Sequence, residues 1–396
     1  MRKRENESPL EVILPLSHDW TTLGTGGGVE TFVQMFLQHA GDSNLRVTVL
    51  CPGPQEARDQ VRFVSVMPRE STEFAFVRHL RRHLRNRSSA LPRDAVVLAN
   101  AEHYAWAFRG TPLPIVLFSH GALPETLRMR HTSPFVRLYE TFIERQAVRG
   151  ATKVALGNSQ SRTHYLSRYD GQATGKFADV PIGVDLAELE GRPRTNPLSR
   201  LPISATDRVV LFVGRLYPEK NPGMFIRTCD LLRQQGESFH AIIVGDGIQG
   251  DFVRESMATR DWLHWIPKLG RPEVLDVIAL SRVLVITSRY ESSPLVLLEA
   301  IGLGTPVIST PVGRASELIE SGVGRVVPAD PEEFAKALGE VLSWNSDEVK
   351  IACNRLRSRI DFATTLKVLV ELLREAKSEV TRQFEIHGSG PSTETL

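Results

Sequence analysis

Short apolar runs alternate along the chain with longer stretches whose apolar residues recur at helical spacing. Runs of this length, rich in valine, isoleucine and leucine, are typical of buried strands, and the stretches between them are typical of amphipathic helices. Strands that alternate with helices predict an α/β protein with parallel sheets. The predicted strands are residues 11–16, 45–50, 95–99, 114–121 and 153–157 in the first half, and 209–213, 241–247, 263–267, 283–288 and 307–309 in the second.

The chain has 396 residues, which is more than one hydrophobic core usually holds. Its second series of strands follows a loop rich in proline, arginine and serine at residues 191–207, which we interpret as a linker. Two Rossmann-like domains are therefore expected, with parallel sheets facing across a cleft. Ligands of such sheets gather at the carboxyl edges of the strands, so the cleft between these edges is the predicted site.

Composition narrows the class of protein. Hydrophobic residues make up 41% and charged residues 24% of the chain, as in an ordinary globular protein, and the net charge of +2 argues against a nucleic-acid partner. The cysteines Cys51, Cys229 and Cys353 are far apart, so neither a disulfide framework nor a zinc site is indicated. The N-terminal residues lack an apolar run long enough for a signal peptide or a membrane span, so a cytoplasmic protein is expected.

The stretch at residues 289–310 carries the clearest candidate chemistry. Glu291 follows a predicted strand, and Ser293 and Pro294 predict the N-cap and the first turn of a helix. The helix is expected to run to about Ile301 and to stop at Gly302 and Gly304. A carboxylate is thus predicted at the mouth of a strand, beside the free N–H groups of a helix N-terminus.

That arrangement predicts an anion site, because the unpaired amides of Leu295 and Val296 and the helix dipole favour a phosphate. Glu299 follows Glu291 by eight residues, roughly 12 Å along a helix. Two acids at this spacing suit the two polyol groups that flank a diphosphate, as in a nucleotide sugar. The alternative is that both are ordinary solvated acids at a helix end.

A glycine-rich loop opens the first predicted helix. Gly24, Gly26, Gly27 and Gly28 precede it and can bring backbone amides against a phosphate. A dinucleotide-binding oxidoreductase is the rival interpretation. The pattern GTGGGV departs from GxGxxG, and the next strand ends at Cys51 where such sites place an acid, so this rival is disfavoured.

Three further features lie outside these loops. His120 ends a predicted strand at the carboxyl edge, where either a ligand contact or a structural histidine is consistent with the sequence. Arg215 and Lys220 follow the strand at 209–213 and place cations in the same crevice, and Asn221-Pro222 predict the start of the next helix. The basic helix predicted at 74–87 is either a docking element for an anionic membrane surface or an ordinary solvated helix, and the sequence favours the second.

Several motifs together resemble the retaining GT-B glycosyltransferases of glycosyltransferase family 4, which are related to sucrose, trehalose and bacterial polysaccharide synthases. The resemblance covers nearly the whole chain. Its most specific part is the combination of ESSPLVLLE with GRLYPEKN. The motifs are GGGVE (26–30), SHG (119–121), NSQ (158–160), PIGVD (181–185), VGRLYPEKNP (213–222), VGDG (244–247) and ESSPLVLLEA (291–300).

The resemblance implies an acceptor-side domain at residues 1–195 and a nucleotide-sugar domain at 196–365. It also implies a C-terminal helix at 366–383 that crosses back to the first domain. The polar residues 384–396 are expected to form a disordered tail.

For the second domain, the resemblance implies that Arg215 and Lys220 clamp the donor diphosphate and counter the charge that grows as the nucleotide departs. Glu291 would contact the hydroxyls of the donor sugar, and Glu299 those of the ribose. Backbone groups around Leu269 would read the nucleobase.

For the first domain, the resemblance implies that Gly27 and Gly28 approach the phosphates. His120 would lie beside the sugar ring, with its backbone carbonyl near the anomeric carbon. The residues implied in catalysis are His120, Glu291, Lys220 and Arg215. Those implied in donor binding are Gly27, Gly28, Arg215, Lys220, Leu269, Glu291, Ser293, Leu295, Val296 and Glu299.

The implied reaction moves a hexose or N-acetylhexosamine from a nucleotide diphosphate sugar, UDP-linked rather than GDP-linked, to a hydroxyl acceptor with retention of configuration. No cofactor or metal is implied. The acceptor is a saccharide, a lipid-linked molecule or a small natural product, and its choice is expected to depend on the acceptor loops at residues 100–109 and 123–134. A non-catalytic sugar-nucleotide-binding module is the alternative, whereas a phosphorylase is disfavoured because no lysine suggests a pyridoxal phosphate site.

Two residues depart from the family pattern. Ile182 stands where asparagine is usual, and Arg314 stands where a second glycine is common. The first bears on contacts to the acceptor, and the second on the donor loop.

Overall fold

The computed structural model describes residues 8–18, 27–68, 72–87, 91–120, 133–169, 175–190 and 195–388. Within these ranges two sheets are covered by helices, which confirms the predicted α/β class. Glycines 24 and 26, most of the predicted acceptor loop at 123–134, and linker residues 191–194 lie outside the described residues.

The first sheet has the strand order β3-β4-β2-β1-β5-β6-β7-β8. All neighbouring strands are parallel except β3 and β4. Its strands are β1 (Leu10–Pro15), β2 (Leu45–Pro52), β3 (Glu56–Arg58), β4 (Val61–Met67), β5 (Val96–Ala99), β6 (Ile115–Ser119), β7 (Lys153–Leu156) and β8 (Phe177–Asp179).

The second sheet is parallel throughout and has the order β11-β10-β9-β12-β13-β14. Its strands are β9 (Val209–Val213), β10 (His240–Val244), β11 (Leu263–Ile266), β12 (Val283–Ile286), β13 (Val307–Ser309) and β14 (Gly324–Val326). The two central strands of this sheet, β9 and β12, are apolar on both faces because helices cover each side of the sheet.

Helices cover both faces of the two sheets. On the first sheet, α1 (Gly28–Gln38) and α15 (Phe362–Gly388) lie on one face, and α2 (Glu73–Arg87), α3 (Glu102–Phe108) and α4 (Pro134–Gly150) lie on the other. A short 3-10 helix, Pro197–Arg200, lies in the predicted linker. The α-helices are α1 (Gly28–Gln38), α2 (Glu73–Arg87), α3 (Glu102–Phe108), α4 (Pro134–Gly150), α5 (Ser159–Tyr169), α6 (Leu186–Glu190), α7 (Pro222–Gln234), α8 (Gly250–Met257), α9 (Arg271–Leu280), α10 (Leu295–Leu303), α11 (Ala315–Leu318), α12 (Pro331–Leu342), α13 (Ser346–Asn354), α14 (Arg357–Ile360) and α15 (Phe362–Gly388).

The predicted N-cap of α10 is wrong by one residue. Pro294, and not Ser293, occupies the N-cap position. Of the two glycines expected to stop the helix, Gly302 lies inside it, where a Cβ would stand 2.5 Å from Leu189 Cδ1, so glycine lets α6 pack closely there. Gly304, with a φ of +77°, ends it in the left-handed conformation that favours glycine.

The sequence analysis missed β3, β4, β8 and β14. Of these, β3, β8 and β14 are only three residues long, which is too short for a period to be recognised. Most residues of β4 are half-buried, so buried and exposed positions alternate only weakly along this strand. The missed strands extend the outer parts of the sheets and do not alter the position of the cleft.

The C-terminal helix α15 packs against β5, β6 and β7 of the first sheet. Lys377 on this helix lies 3.2 Å from Asp94, and Thr365 donates a hydrogen bond to the carbonyl of Pro181 at 2.7 Å. The helix continues to Gly388, five residues beyond its expected end, and 389–396 lie outside the described residues. Among the described helices, none has the length and apolar character needed to cross a membrane.

Candidate active site

Glu291 lies in the loop between β12 and α10, where its carboxylate forms an ion pair with the ammonium of Lys220. The same carboxylate accepts a hydrogen bond from Ser288 Oγ at 2.8 Å. Neither side chain of the pair is fully buried. The fold thus brings together a carboxylate and an ammonium group that lie 71 residues apart in the sequence, and it leaves both within reach of a ligand.

Backbone contacts fix the loop that carries Lys220. Thr287 Oγ1 lies 3.0 Å from the carbonyl oxygen of Lys220 and 2.9 Å from that of Asn221, and it can donate to either. Arg289 N–H donates to the carbonyl of Glu219 at 2.7 Å. Asn221 adopts a φ of +55° and directly precedes α7, as its Asn-Pro sequence predicts. The Lys220 side chain therefore starts from an ordered backbone.

The floor of this crevice depends on the close approach of β9 and β10. Gly214 N–H donates to the carbonyl of Val244 at 3.0 Å. Gly245 has a φ of +129°, and a Cβ there would lie 2.1 Å from the carbonyl oxygen of Gly214, so only glycine fits. Arg215, the residue after Gly214, is exposed, and its guanidinium lies 5.4 Å from the centre of the Tyr217 ring.

Two helix N-termini meet across the cleft. Gly28 is the first residue of α1, and a Cβ there would lie 3.6 Å from Leu295 Cδ1 at the start of α10. Gly27 caps α1 without a side-chain hydrogen bond. The first N–H groups of each helix, including those of Leu295 and Val296, lack partners within the helix. Two positive helix ends therefore converge on one gap, which favours an anion.

Asn158 bridges the two sheets beside this gap. Its Nδ2 donates to the carbonyl of Ser292, and its Oδ1 accepts from the N–H of Ser161 at 2.7 Å. Gln160 Oε1 accepts from the N–H of Gly313 at 3.4 Å. The sequence analysis noted this motif without giving Asn158 a role, although its position directly after a strand was a usable signal.

Glu299 is 5% exposed and pairs with Arg271, which the sequence analysis missed. Arg271 Nη1 lies 2.5 Å from Glu299 Oε1, and Nη2 lies 2.9 Å from Glu188 Oε2. Burial by itself lowers the pKa of Arg271. The carboxylates of Glu299 and Glu188 raise it by more than burial lowers it, so the pKa lies above its usual range. Its place after the predicted nucleobase loop was the only sequence signal.

His120 lies at the end of β6 with its ring packed between two aromatic side chains. The ring centroids of Phe118 and Phe32 are 4.7 and 5.1 Å away. Burial lowers the pKa of His120 from 6.5 to about 3, so the imidazole is neutral at pH 7. Its Nε2 is buried and has no hydrogen-bond partner among the described residues. A neutral imidazole with an unused nitrogen can bind a hydroxyl.

Acidification is expected to weaken the fold through His120. The unfolded chain binds a proton near pH 6.5, whereas the folded imidazole does so only near pH 3. The unfolded state therefore holds more protons in that window, and the free energy of unfolding falls by up to about 1.4 kcal/mol for each pH unit below 6.5. Urea unfolding at pH 7 and pH 5 should show a smaller decline for His120→Asn than for wild type. An equal decline in both proteins would contradict this assignment.

A buried polar network supports the same edge of the first sheet. Tyr165 donates a hydrogen bond to Glu102 Oε1 at 2.6 Å, and Ser119 lies 3.0 Å from the Tyr165 hydroxyl. Burial raises the pKa of Glu102. Asn100, at the end of β5, is buried, and neither of its amide atoms has a hydrogen-bond partner in the described parts of the chain. Sequence reasoning placed Asn100 in an acceptor loop without naming it as a site residue.

The remaining predicted donor residues lie around this crevice. Leu269 is half-buried in the loop between β11 and α9. Ser293 Oγ is buried and unpartnered within the described ranges. In the same ranges, no three His, Cys, Asp or Glu side chains converge as metal ligands would.

The two departures from the family pattern contact each other. Arg314 is buried, and its Nη1 donates to the carbonyl of Ile182 at 2.7 Å. Its Nη2 lies 3.3 Å from the carbonyl of Arg359, so the guanidinium joins the connection between the sheets to the segment before α15. Ile182 Cδ1 fills the space above Gly157, 3.1 Å from where a Cβ would stand. Arg314 and Ile182 therefore contribute to the packing between the two domains.

Comparison with known proteins identifies the family. A family model of glycosyltransferase family 4 matches residues 26–188, and one of group 1 glycosyl transferases matches 207–343. The D-inositol 3-phosphate glycosyltransferase of Kineococcus radiotolerans is 30% identical over 259 residues, which is 59% of this chain and 59% of that protein. The protein of the same name from Nocardiopsis dassonvillei is 28% identical over 223 residues, 53% of this chain and 52% of that protein. The chain thus matches little more than half the length of these relatives.

Solved structures show the same fold. Sucrose-phosphate synthase from Thermosynechococcus elongatus superimposes with a TM-score of 0.76 at 19% identity, over 93% of this chain and 100% of that chain. The Anabaena protein HepE, solved in complex with UDP-glucose, gives a TM-score of 0.69 at 19% identity, over 92% and 100%. The predicted GT-B arrangement is confirmed. The family models that match residues 26–188 and 207–343 show that the chain belongs to family 4 of the glycosyltransferases, the group 1 glycosyl transferases.

Proposed function

We propose that the chain transfers a hexose or N-acetylhexosamine from a nucleotide diphosphate sugar to a hydroxyl acceptor, with retention of configuration and without a metal or cofactor. The observation that carries the proposal is the pairing of Lys220 with Glu291 beside the start of α10. A cation and free helix amides suit a diphosphate, and a carboxylate next to them suits the hydroxyls of the sugar attached to it.

Each donor residue then has a task. Lys220, Arg215 and the first amides of α1 and α10 hold the diphosphate, and Glu291 orients the sugar. On donor binding Lys220 shares its ammonium between Glu291 and the phosphate. Glu299, kept in place by Arg271, accepts hydrogen bonds from the ribose hydroxyls. The cationic groups become more important as the nucleotide departs, because negative charge grows on the leaving diphosphate.

The transfer itself follows a front-face course. The acceptor oxygen bonds to the anomeric carbon on the side from which the diphosphate leaves, and the leaving phosphate oxygen takes the acceptor's proton. His120, neutral at pH 7, binds a sugar hydroxyl through its buried Nε2 and does not act as a charged acid. Asn100 lies near the acceptor side of the cleft.

A UDP-sugar is the proposed donor, and HepE, which shares the fold, was solved with UDP-glucose. Two relatives are named D-inositol 3-phosphate glycosyltransferase, which supports the inclusion of a polyol phosphate among the small acceptors of the proposal. Saccharide, lipid-linked and small natural-product acceptors all remain within the proposal. We place the reaction in the cytoplasm.

A thermal-shift panel tests the donor. UDP, GDP, dTDP and ADP, each with its common sugar conjugates, are added to the full chain. A ligand at about 100 times its Kd stabilises the native state by roughly 2.7 kcal/mol. The uridine series is expected to raise the midpoint, and the effective conjugate should be hydrolysed slowly without acceptor, in EDTA as well as without it. Proton NMR of the fresh product should show the donor's anomeric configuration.

Each part of the proposal has its own contrary result. Stabilisation by guanosine nucleotides alone would show that the donor is a GDP-sugar and not a UDP-sugar. Binding without any hydrolysis or transfer would indicate a non-catalytic sugar-nucleotide-binding protein. An inverted product would rule out the front-face course.

A further inference from the structure

Helix α4 presents an apolar stripe to the outside. Phe135 is 83% exposed, Leu138 71% and Phe142 51%, with Val136 and Tyr139 beside them. The opposite side of the helix is buried and includes Ile143, Ala147 and Val148. Single exposed apolar residues are common on protein surfaces, but a contiguous stripe on one helix usually marks a binding surface.

Helix α2 presents arginines on the same side of the first sheet. Phe74 is 62% exposed, and Arg78, Arg82 and Arg85 are exposed on the turns that follow. Arg81 lies 4.5 Å over the Trp106 ring of α3. The other side of α2, with Phe76, Val77, Leu80 and Leu84, packs into the core.

A histidine shows that the two helices share one surface. His103 on α3 lies 3.6 Å from Glu73 and 2.9 Å from Glu140, so one imidazole reaches both helices. The centroids of the His103 and Tyr139 rings lie 6.5 Å apart, so Tyr139 of α4 also lies beside this imidazole. The apolar residues lie on the first half of α4, at the carboxyl edge of the sheet that also holds His120, and the α2 arginines extend away from it.

We infer that this face, formed by the outward sides of α2 and α4, docks onto a bilayer that contains anionic lipid. Aromatic and leucine side chains of a surface helix insert into the boundary between headgroups and acyl chains, while arginines stay at the charged headgroups. Each arginine near such a surface strengthens binding about fivefold. The apolar stripe of α4 suits the acyl-chain boundary of such a bilayer, and the arginines of α2 suit its anionic headgroups.

Charge argues against a second copy of the chain as the occupant. A twofold dimer through this face would bring the arginine rows of two α2 helices towards each other. An anionic bilayer, by contrast, neutralises the same row. The inference is independent of the proposed transfer reaction, but it would place the acceptor side of the cleft next to the membrane.

Vesicle flotation without nucleotide tests the inference on the full chain. Extruded vesicles of phosphatidylcholine are compared with vesicles that contain about one third phosphatidylglycerol. One variant combines Phe135→Ser, Leu138→Ser and Phe142→Ser, and a second carries three charge reversals. The reversals are Arg78→Glu, Arg82→Glu and Arg85→Glu.

Two controls match these variants in the second domain, where the residues are also exposed. Leu280→Ser with Ile351→Ser controls for lost apolar surface. A triple reversal controls for net charge, and consists of Arg227→Glu, Arg254→Glu and Arg355→Glu. Thermal midpoints and the shift given by the donor nucleotide show that every variant is folded and that the donor site is intact.

Wild type is expected to bind the anionic vesicles at least about tenfold more tightly than the neutral ones. Both docking variants should lose about tenfold or more of that affinity, and both controls should keep it. Failure of wild type to float with anionic vesicles would overturn the inference, as would an equal loss in the controls. A wild-type dimer that only the Phe135, Leu138 and Phe142 variant dissociates, without vesicle binding, would assign the face to a second copy.

Discussion

Lys220→Ala is expected to lower kcat by about 10²- to 10³-fold, the effect of removing one preorganised group that stabilises charge in a transition state. In the free protein the ammonium is held by Glu291, on a loop fixed by Thr287. Because the side chain is partly accessible and its loop is tied through the backbone, the variant should fold. The measurement is initial rate against donor concentration, using the donor that the thermal-shift panel identifies.

Lys350→Ala is the matched control. Lys350 on α13 is exposed and lies 3.5 Å from Asp347, so its loss should leave kcat unchanged. Lys220→Arg should recover part of the rate, because it keeps the charge with a different geometry. A Lys220→Ala enzyme with wild-type kcat and a raised KM would show that the lysine binds the ground state and the transition state equally. Wild-type values for both would refute the diphosphate clamp.

Arg271→Ala is expected to lower the free energy of unfolding by about 3–5 kcal/mol, the usual consequence of removing one partner of a buried ion pair. The guanidinium is largely buried between Glu299, which is itself buried, and Glu188. Its loss leaves the Glu299 carboxylate in a poorly hydrated place without a counter-ion. Urea unfolding measures the loss. Donor affinity should fall as well, because Glu299 is no longer oriented.

The Arg271→Ala, Glu299→Gln double variant separates the ion pair from simple packing. It should regain part of the lost stability, since no unpaired charge is left, while donor binding stays weak. Arg254→Ala is the control for an exposed pair, with its partner Asp251 also exposed, and should cost about 0–1 kcal/mol. A double variant no more stable than Arg271→Ala would point to lost packing as the cause.

Sequence reasoning was strongest where the chemistry is local. The apolar runs predicted the central strands because both faces of a parallel sheet are covered and its strands are apolar throughout. Asn221 and Pro222 predicted the start of α7, since proline fits a first helical turn. Of the two glycines predicted to stop α10, Gly304 ends it in a left-handed conformation, whereas Gly302 lies inside the helix and allows α6 to pack against it.

By itself, then, the sequence determined the α/β class, the two-sheet organisation, the family motifs and the loops at which Lys220, Glu291 and Gly28 stand. Which side chains meet was decided only by the tertiary structure. Arg271 and Glu299 are 28 residues apart, Asn158 and Ser292 are 134 apart, and Ile182 and Arg314 are 132 apart. Periodicity and capping act over a few residues, whereas these contacts exist only after strand order and helix packing have folded distant segments together.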